Sequence, residues 1–249
     1  MTKDAFLALY LRCFPEDTAQ DALQVWQLAK SGKILHHETA GQPVAMLVLL
    51  PAVLRAETPC TLYYIFAACT HPEFRRRGIM DELLHAAYDT AITDGRQGVF
   101  LRPANQALAQ YYAKRNFAVF SRYQTETLTA NPTAGAFSSL SFLEFSKRRA
   151  ALLPTPYIEW APDFLQTNFS YCTAYADKEN LLICETQGDT LCIRECFGPS
   201  ANTFAATVAA QLGCSKILCR RFGSGAPYAM AHTATPLPET YVGLTLDVF

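Results

Sequence analysis

Arg75-Arg76-Arg77-Gly78-Ile79-Met80 sets three guanidinium groups and a glycine directly ahead of a helically periodic stretch. Free backbone N–H groups at a helix start, joined by arginines, form a good seat for a phosphate. Gly78 permits a tight backbone path and leaves no side chain between those amides and an anion. The chemistry indicated is retention of a phosphate-bearing cofactor. An ordinary loop with solvent-facing arginines fits the local residues equally. Context favours the first reading, because a second helical stretch with Asn105 and Tyr112 follows the next buried strand and should stand beside the first helix.

The elements that must position these residues are set by periodicity and breakers. Asp4 to Cys13 and Thr18 to Ala29 carry apolar residues at helical spacing, with Pro15 between them. Lys33 to Glu38 and Val44 to Leu54 read as a hairpin across Ala40-Gly41-Gln42-Pro43. Leu62 to Thr70 is a third strand, rich in aromatic and β-preferring residues. Gly78 to Ala91 is a helix with Ile79, Leu83, Leu84, Ala87 and Ala91 on one side. Gly98 to Leu101 is a buried strand, Asn105 to Arg115 a helix and Phe117 to Thr125 a strand.

Beyond Thr129 the pattern loosens through Asn131 to Ala136, and Pro154, Pro156 and Pro162 punctuate the next stretch of chain. Strands are expected again over Leu181 to Thr186, Thr190 to Phe197, Lys216 to Arg220 and Thr240 to Phe249, with a helix over Ala201 to Leu212. This order echoes part of the first half. The expectation is α/β (α+β): a mixed, mainly antiparallel sheet flanked by helices, with a second, smaller domain of related architecture. Its helix entrance, Cys196-Phe197-Gly198-Pro199-Ser200, lacks the arginine cluster. The domains predicted are 1–128, a linker region 129–156, and 157–249.

At 249 residues, half of them apolar and with a formal net charge of -1, the chain is neither disordered nor a general nucleic-acid binder. The longest apolar run, Pro43 to Leu54, is too short to cross a membrane. Nine cysteines, an odd number, with no secretory leader, read as reduced thiols in the cytoplasm. Cys192 and Cys196 lack a nearby partner pair to complete a zinc site, so no metal is expected.

The pattern around Gly78 resembles the Gcn5-related N-acetyltransferase (GNAT) superfamily. Its pyrophosphate loop, Arg/Gln-x-x-Gly-x-Gly/Ala, is matched by Arg75 to Met80, with Met80 where glycine or alanine is usual. The family's asparagine, tyrosine and Gly-Phe are matched by Asn105, Tyr112, Asn116 and Phe117, with Asn116 in place of the glycine. Asparagine is one of the few residues that accepts the left-handed conformation at a helix end. Thr70-His71-Pro72-Glu73-Phe74 also fits the family's loop. The added second domain resembles the enhanced-intracellular-survival type, whose second domain is a degenerate acetyltransferase-like unit.

The resemblance implies acetyl-CoA as cofactor and a small-molecule primary amine as acceptor. Homo-oligomers remain compatible with it. Pyrophosphate would take amides from Arg76 to Met80, with Arg75, Arg76 and Arg77 adding charge-assisted bonds. Pantetheine would run beside Phe66, Ala67, Ala68 and Cys69, where an N–H could polarise the thioester carbonyl. Tyr112 is the implied general acid for the departing thiolate, and the competing reading is a core tyrosine. Asn105 binds cofactor or a bridging water, or else caps its helix. No Asp or Glu lies in Phe66 to Cys69, so the base is open between His71, the Phe249 carboxylate and neither. A non-catalytic acyl-CoA-binding or interaction module is the alternative.

Overall fold

The computed structural model describes residues 1–130 and 135–245. These divide into two compact units, and the first is discontinuous: Met1–Phe120, Glu159–Asp163 and Pro227–Pro238. The second comprises Ser121–Ile158, Phe164–Ala226 and Glu239–Phe249.

In the first unit, α1 (Lys3–Cys13) starts at Thr2, whose hydroxyl accepts from Ala5 N. A Thr18–Asp21 capping box starts α2 (Ala19–Ala29). The sheet order is β1 (Lys33–Thr39), β2 (Gln42–Arg55), β3 (Cys60–Thr70), β4 (Gly98–Leu101) and β12 (Ala226–Thr233). β1 to β3 form an antiparallel meander, and β3 runs parallel to β4 across the helix α3 (Ile79–Thr93). β12 returns antiparallel to β4, pairing Met230 with Leu101 and His232 with Val99. Successive strand residues face opposite sides of a sheet. Accordingly Tyr63 and Ile65 join the core under α3, while Tyr64 packs on the other face against Phe100, tilted, and Trp160, edge-on, with ring centroids 5.1 Å away in each case. The apolar side expected of α3 is the buried one, Ile79, Leu83, Leu84, Ala87 and Ala91.

The second unit orders its strands β5 (Ala118–Thr129), β11 (Lys216–Phe222), β10 (Thr190–Phe197), β9 (Leu181–Gln187), β8 (Thr173–Ala176) and β6 (Ser138–Ser139). β9 and β10 form an antiparallel hairpin, and β10 runs parallel to β11 across α7 (Ala201–Gln211). That is the hairpin–helix–strand order of β2, β3, α3 and β4. The helix α5 (Phe142–Leu152) belongs to this unit, while β7 (Tyr157–Trp160) and α6 (Pro162–Ser170) are each divided between the two.

Arg149 of α5 reaches Glu195 of β10 through two hydrogen bonds of 2.6 and 2.8 Å, both groups buried. Glu195 also accepts from Tyr241 Oη and from Leu244 N. The strand expected over Thr240 to Phe249 does not form through residue 245, where Tyr241 makes an isolated bridge to Tyr157. Gly243 sits at φ +68, which no strand accommodates, and the next amide serves Glu195. Residues 246–249, and with them the Phe249 carboxylate, lie outside the described residues, as do 131–134 of the expected turn. No helix among the described residues is long and apolar enough to cross a membrane.

Candidate active site

The site is built where β3 stops pairing with β4. Their parallel ladder ends at Ile65–Leu101, and Arg102-Pro103 then leads the chain away. Ala67 to Cys69 continue β3 past the last β4 pairing among the described residues, on an edge where backbone groups can meet a ligand. On the β2 side, Val48 faces Phe66 and Met46 faces Cys69, leaving Leu47 opposite both Ala67 and Ala68. This is a β-bulge, with Ala67 in the left-handed region at φ +50. Such a conformation costs an alanine about 1 kcal/mol or more and re-aims the peptide groups around it. Phe66, Ala67 and Ala68 are half-buried at this opening and Cys69 is buried.

After β3 the chain turns through a short 3-10 helix, Pro72–Phe74. His71 caps it, its Nδ1 taking Glu73 N at 3.3 Å while its ring stands edge-on to Phe74. This structural duty answers for one ring nitrogen of the residue considered as a proton relay. Arg75 and Arg77 are folded back on the loop: Arg75 Nε donates to Thr70 O at 3.0 Å, and Arg77 Nη2 to Glu73 O at 2.9 Å. Arg77 also lies over the Phe74 ring at 4.9 Å. Arg76 makes no such bond among the described residues.

Arg76 at φ +63 and Gly78 at φ +81 are both left-handed, which turns successive amides toward one side. Gly78 is the N-cap of α3, and no side chain caps it. Its carbonyl accepts from Asp81 N and Glu82 N, whereas the amides of Arg76 to Met80 have no acceptor among the described residues. A Cβ placed on Gly78 would meet nothing within 4 Å. The cradle is therefore open, exposed and rich in donors. Met80 points its side chain into the core packing around α3 rather than over the amides.

The corresponding entrance in the second unit is closed. Ser200 N donates to Asn180 Oδ1 at 3.0 Å, and a Cβ on Gly198 would run into that same Asn180 oxygen at 2.4 Å. β10 also carries a register break, between Ile193 and Glu195, but there the strand holds the Arg149–Glu195 pair. Protein atoms occupy at α7 what is left open at α3.

Beside α3 stands α4 (Gln106–Ala113), capped by Asn105, whose Oδ1 accepts Leu108 N at 2.9 Å. Of the roles open to Asn105, the cap is the one its oxygen performs. Tyr111 and Tyr112 diverge as adjacent helix positions must. Tyr111 donates its phenol to Asp81 in the first turn of α3, and Arg115 grips the same carboxylate through two bonds of 2.7 Å. Arg115 also stacks on the Tyr111 ring at 3.4 Å. Its hydrogen bonds hold the Asp81 carboxyl below the usual range, and burial drives the Tyr111 phenol well above its own. Sequence reasoning misses this latch, although the Tyr111–Arg115 spacing of four residues is a signal that could have found it.

Tyr112 is 8% exposed and packs against Tyr111 and Phe117. Its hydroxyl has no hydrogen-bond partner among the described residues, and burial raises its pKa. The phenol thus keeps its proton at neutral pH and has it available to give. Asn116 adopts φ +66 at the end of α4, as expected.

These features coincide with one family. Residues 3–117 match the acetyltransferase (GNAT) family model. Residues 3–117 belong to the GNAT family. Among curated proteins no relative matches the chain by sequence. Among solved structures, a protein of Enterococcus faecalis described as a probable N-acyltransferase aligns at 13% identity with a TM-score of 0.74, over 92% of this chain and 69% of its own. Eis1 from Mycobacterium abscessus aligns at 12% identity and a TM-score of 0.68, over 93% of this chain and 70% of its own. A tandem GNAT protein from the clavulanic acid biosynthesis pathway aligns at 11% identity and a TM-score of 0.55, over 95% and 96% of the two chains. At these identities the likeness is one of fold. It extends over both units of this chain, while the family model ends at residue 117.

Proposed function

We propose that this protein transfers an acetyl group from acetyl-CoA to a primary amine of a small molecule by direct attack. The observation that carries the reading is the open cradle at residues 76–80: left-handed Arg76 and Gly78, amides without protein acceptors, and free space above Gly78. A diphosphate fits that donor set. When bound, the coenzyme supplies a thioester carbonyl, an electrophile that needs no metal or redox step for transfer to nitrogen.

The chain's own residues do the rest. The edge at Ala67 to Cys69 would hold the pantetheine arm by main-chain hydrogen bonds, and the bulge at Ala67 would offer a peptide N–H to the thioester carbonyl. Tyr112 holds a proton at Oη for the departing sulfur. The acceptor amine must arrive neutral, and neither bulge residue can deprotonate it, since Ala67 and Ala68 bear no ionisable group. That absence favours a second reading, a module that binds acyl-CoA without turning it over. The free state of all nine cysteines supports placement in the cytoplasm.

Calorimetry with coenzyme A tests the shared premise, and no binding would refute both readings. A thiol-release assay with acetyl-CoA and a panel of primary amines then separates them. Release that depends on amine supports the enzyme, and binding with no release for any amine supports the module.

A further inference from the structure

The second unit keeps a cavity of its own where its parallel strands part. The β10–β11 ladder ends at Ile193–Cys219, and β10 breaks register straight afterwards, between Ile193 and Glu195. Against the first turns of α7 this leaves a cavity of about 60 Å³. Its floor is apolar, made by buried Ile193, Ile217 and Ala205. Its rim is polar, with half-buried Arg221 and exposed Asn202. Arg221 commits Nε to Glu126 and Nη2 to Asn202 Oδ1, the latter at 2.7 Å. Arg221 Nη1 and the Asn202 NH2 group donate to nothing among the described residues, and the bond that its oxygen accepts fixes the Asn202 amide. Arg220 also lines the cavity, so the rim carries a second guanidinium.

We propose that this cavity binds a short straight-chain carboxylate, its alkyl end against Ile193, Ile217 and Ala205 and its carboxylate at the Arg221–Asn202 rim. The site lies wholly within the second unit and does not rest on the function proposed above.

Size, charge and access select that class. One water needs roughly 10–15 Å³ in this measure, so the cavity takes on the order of four to six non-hydrogen atoms. Acetate, propionate and butyrate span that size. An apolar floor under a cationic rim suits an anion whose body is hydrocarbon, because the charge stays at the mouth and is not carried into the floor. Arg221 Nη1 and the Asn202 amide can then give it hydrogen bonds, the first of them charge-assisted. An alkylamine of the same length would meet like charge. A coenzyme-sized ligand is shut out, since Asn180 holds Ser200 N and stands against Gly198 at the entrance to α7. Cys196 and Cys219 complete the wall. Burial raises both thiols and Cys196 Sγ is turned to Ala201 O at 3.4 Å, so they act as packing groups.

The test titrates isoleucine-methyl-labelled full-length protein with acetate, propionate and butyrate, and separately with 1-butanol, butylamine and octanoate, following the methyl NMR signals. The short acids should shift Ile193 and Ile217 saturably and leave Ile65 and Ile79 of the first unit unmoved. Butyrate should bind at least about tenfold more tightly than 1-butanol or butylamine. Arg221→Gln should erase the margin over 1-butanol, and Arg221→Lys should restore part of it. Ala205→Val, which fills the floor, should abolish the shifts. The Arg221 variants alter a half-buried side chain and decide the matter should Ala205→Val fail to fold. No shift with any short acid, equal affinity for 1-butanol or octanoate, shifts confined to the first unit, or displacement of butyrate by coenzyme A would each overturn the proposal. Failure of coenzyme A to bind while the Ile193 and Ile217 shifts persist would count against the acetyl-transfer reading and leave this one standing.

Discussion

In the proposed reaction Tyr112 and Gly78 carry the heaviest chemical duties, and each makes a separable prediction. Tyr112→Phe removes only a hydroxyl that has no partner among the described residues, so folding and coenzyme affinity should survive. The turnover rate should fall by about 10²–10⁴-fold, because thiolate is already a fair leaving group. Steady-state kinetics beside calorimetry checks this, and an unchanged rate removes Tyr112 from the chemistry. Burial also raises its pKa, so any loss of rate from its ionisation should begin above the ordinary tyrosine range of ~10. At Gly78 an added methyl would touch nothing within 4 Å, leaving the backbone at φ +81 as the whole cost. Gly78→Ala should weaken coenzyme A binding by about 1 kcal/mol, roughly fivefold in Kd. Gly78→Asn should recover part of that loss, since asparagine accepts the left-handed region. Residue identity made both positions legible in the sequence. It could not reveal that Arg75 and Arg77 would be turned back onto Thr70 and Glu73, because backbone carbonyls leave no trace in residue types.

Elements decide whether those residues meet. The Asp81 latch binds the first turn of α3 to α4, which fixes Tyr112 relative to the amide cradle. Asp81→Asn should cost modest stability, about 1 kcal/mol, because the carboxylate is 38% exposed and solvent screens it. Its folded pKa lies below the unfolded one, held down first by the Arg115 hydrogen bonds. The contribution is therefore complete above the unfolded value near ~3.9 and lost as pH falls through the folded value. Urea midpoints of the wild type and Asp81→Asn should differ at pH near ~7 and converge in acid; a constant gap would assign the loss to packing instead. Strong periodicity made α3 and β2 to β4 readable. The bulge was hidden because Ala67 and Ala68 are ordinary strand-compatible residues, and only the β2 register shows one too many. α5 did carry a readable signal, the capping box Ser141-x-x-Glu144, masked by the prolines around it. Thr240 to Phe249 misled because Tyr241, Val242 and Leu244 favour strands, while Gly243 and the demand of Glu195 decide otherwise.

For the molecule as a whole, the first unit cannot be cut from the chain by its sequence boundaries. β12 reads poorly as a strand, since Ala-Pro-Tyr-Ala-Met-Ala is weak in β-formers, and pairing with β4 is what makes it one. Tyr228 and Met230 are 1% and 2% exposed there, Met230 in the core shared with α3. A fragment of residues 1–120 should then aggregate, with an unpaired β4 edge and an unfilled core. Sedimentation of that fragment against the full chain measures it, and a soluble monomer with native-like spectra would contradict the prediction.

The late arrival of β12 has a consequence for biosynthesis. A ribosome extends the nascent chain at about 5–20 residues per second, so the amino-terminal half emerges well before Pro227–Pro238 exist to seal it. During that interval β4 offers a bare apolar flank to whatever chaperone waits at the exit tunnel. A stop codon anywhere before residue 226 therefore spoils both halves at once.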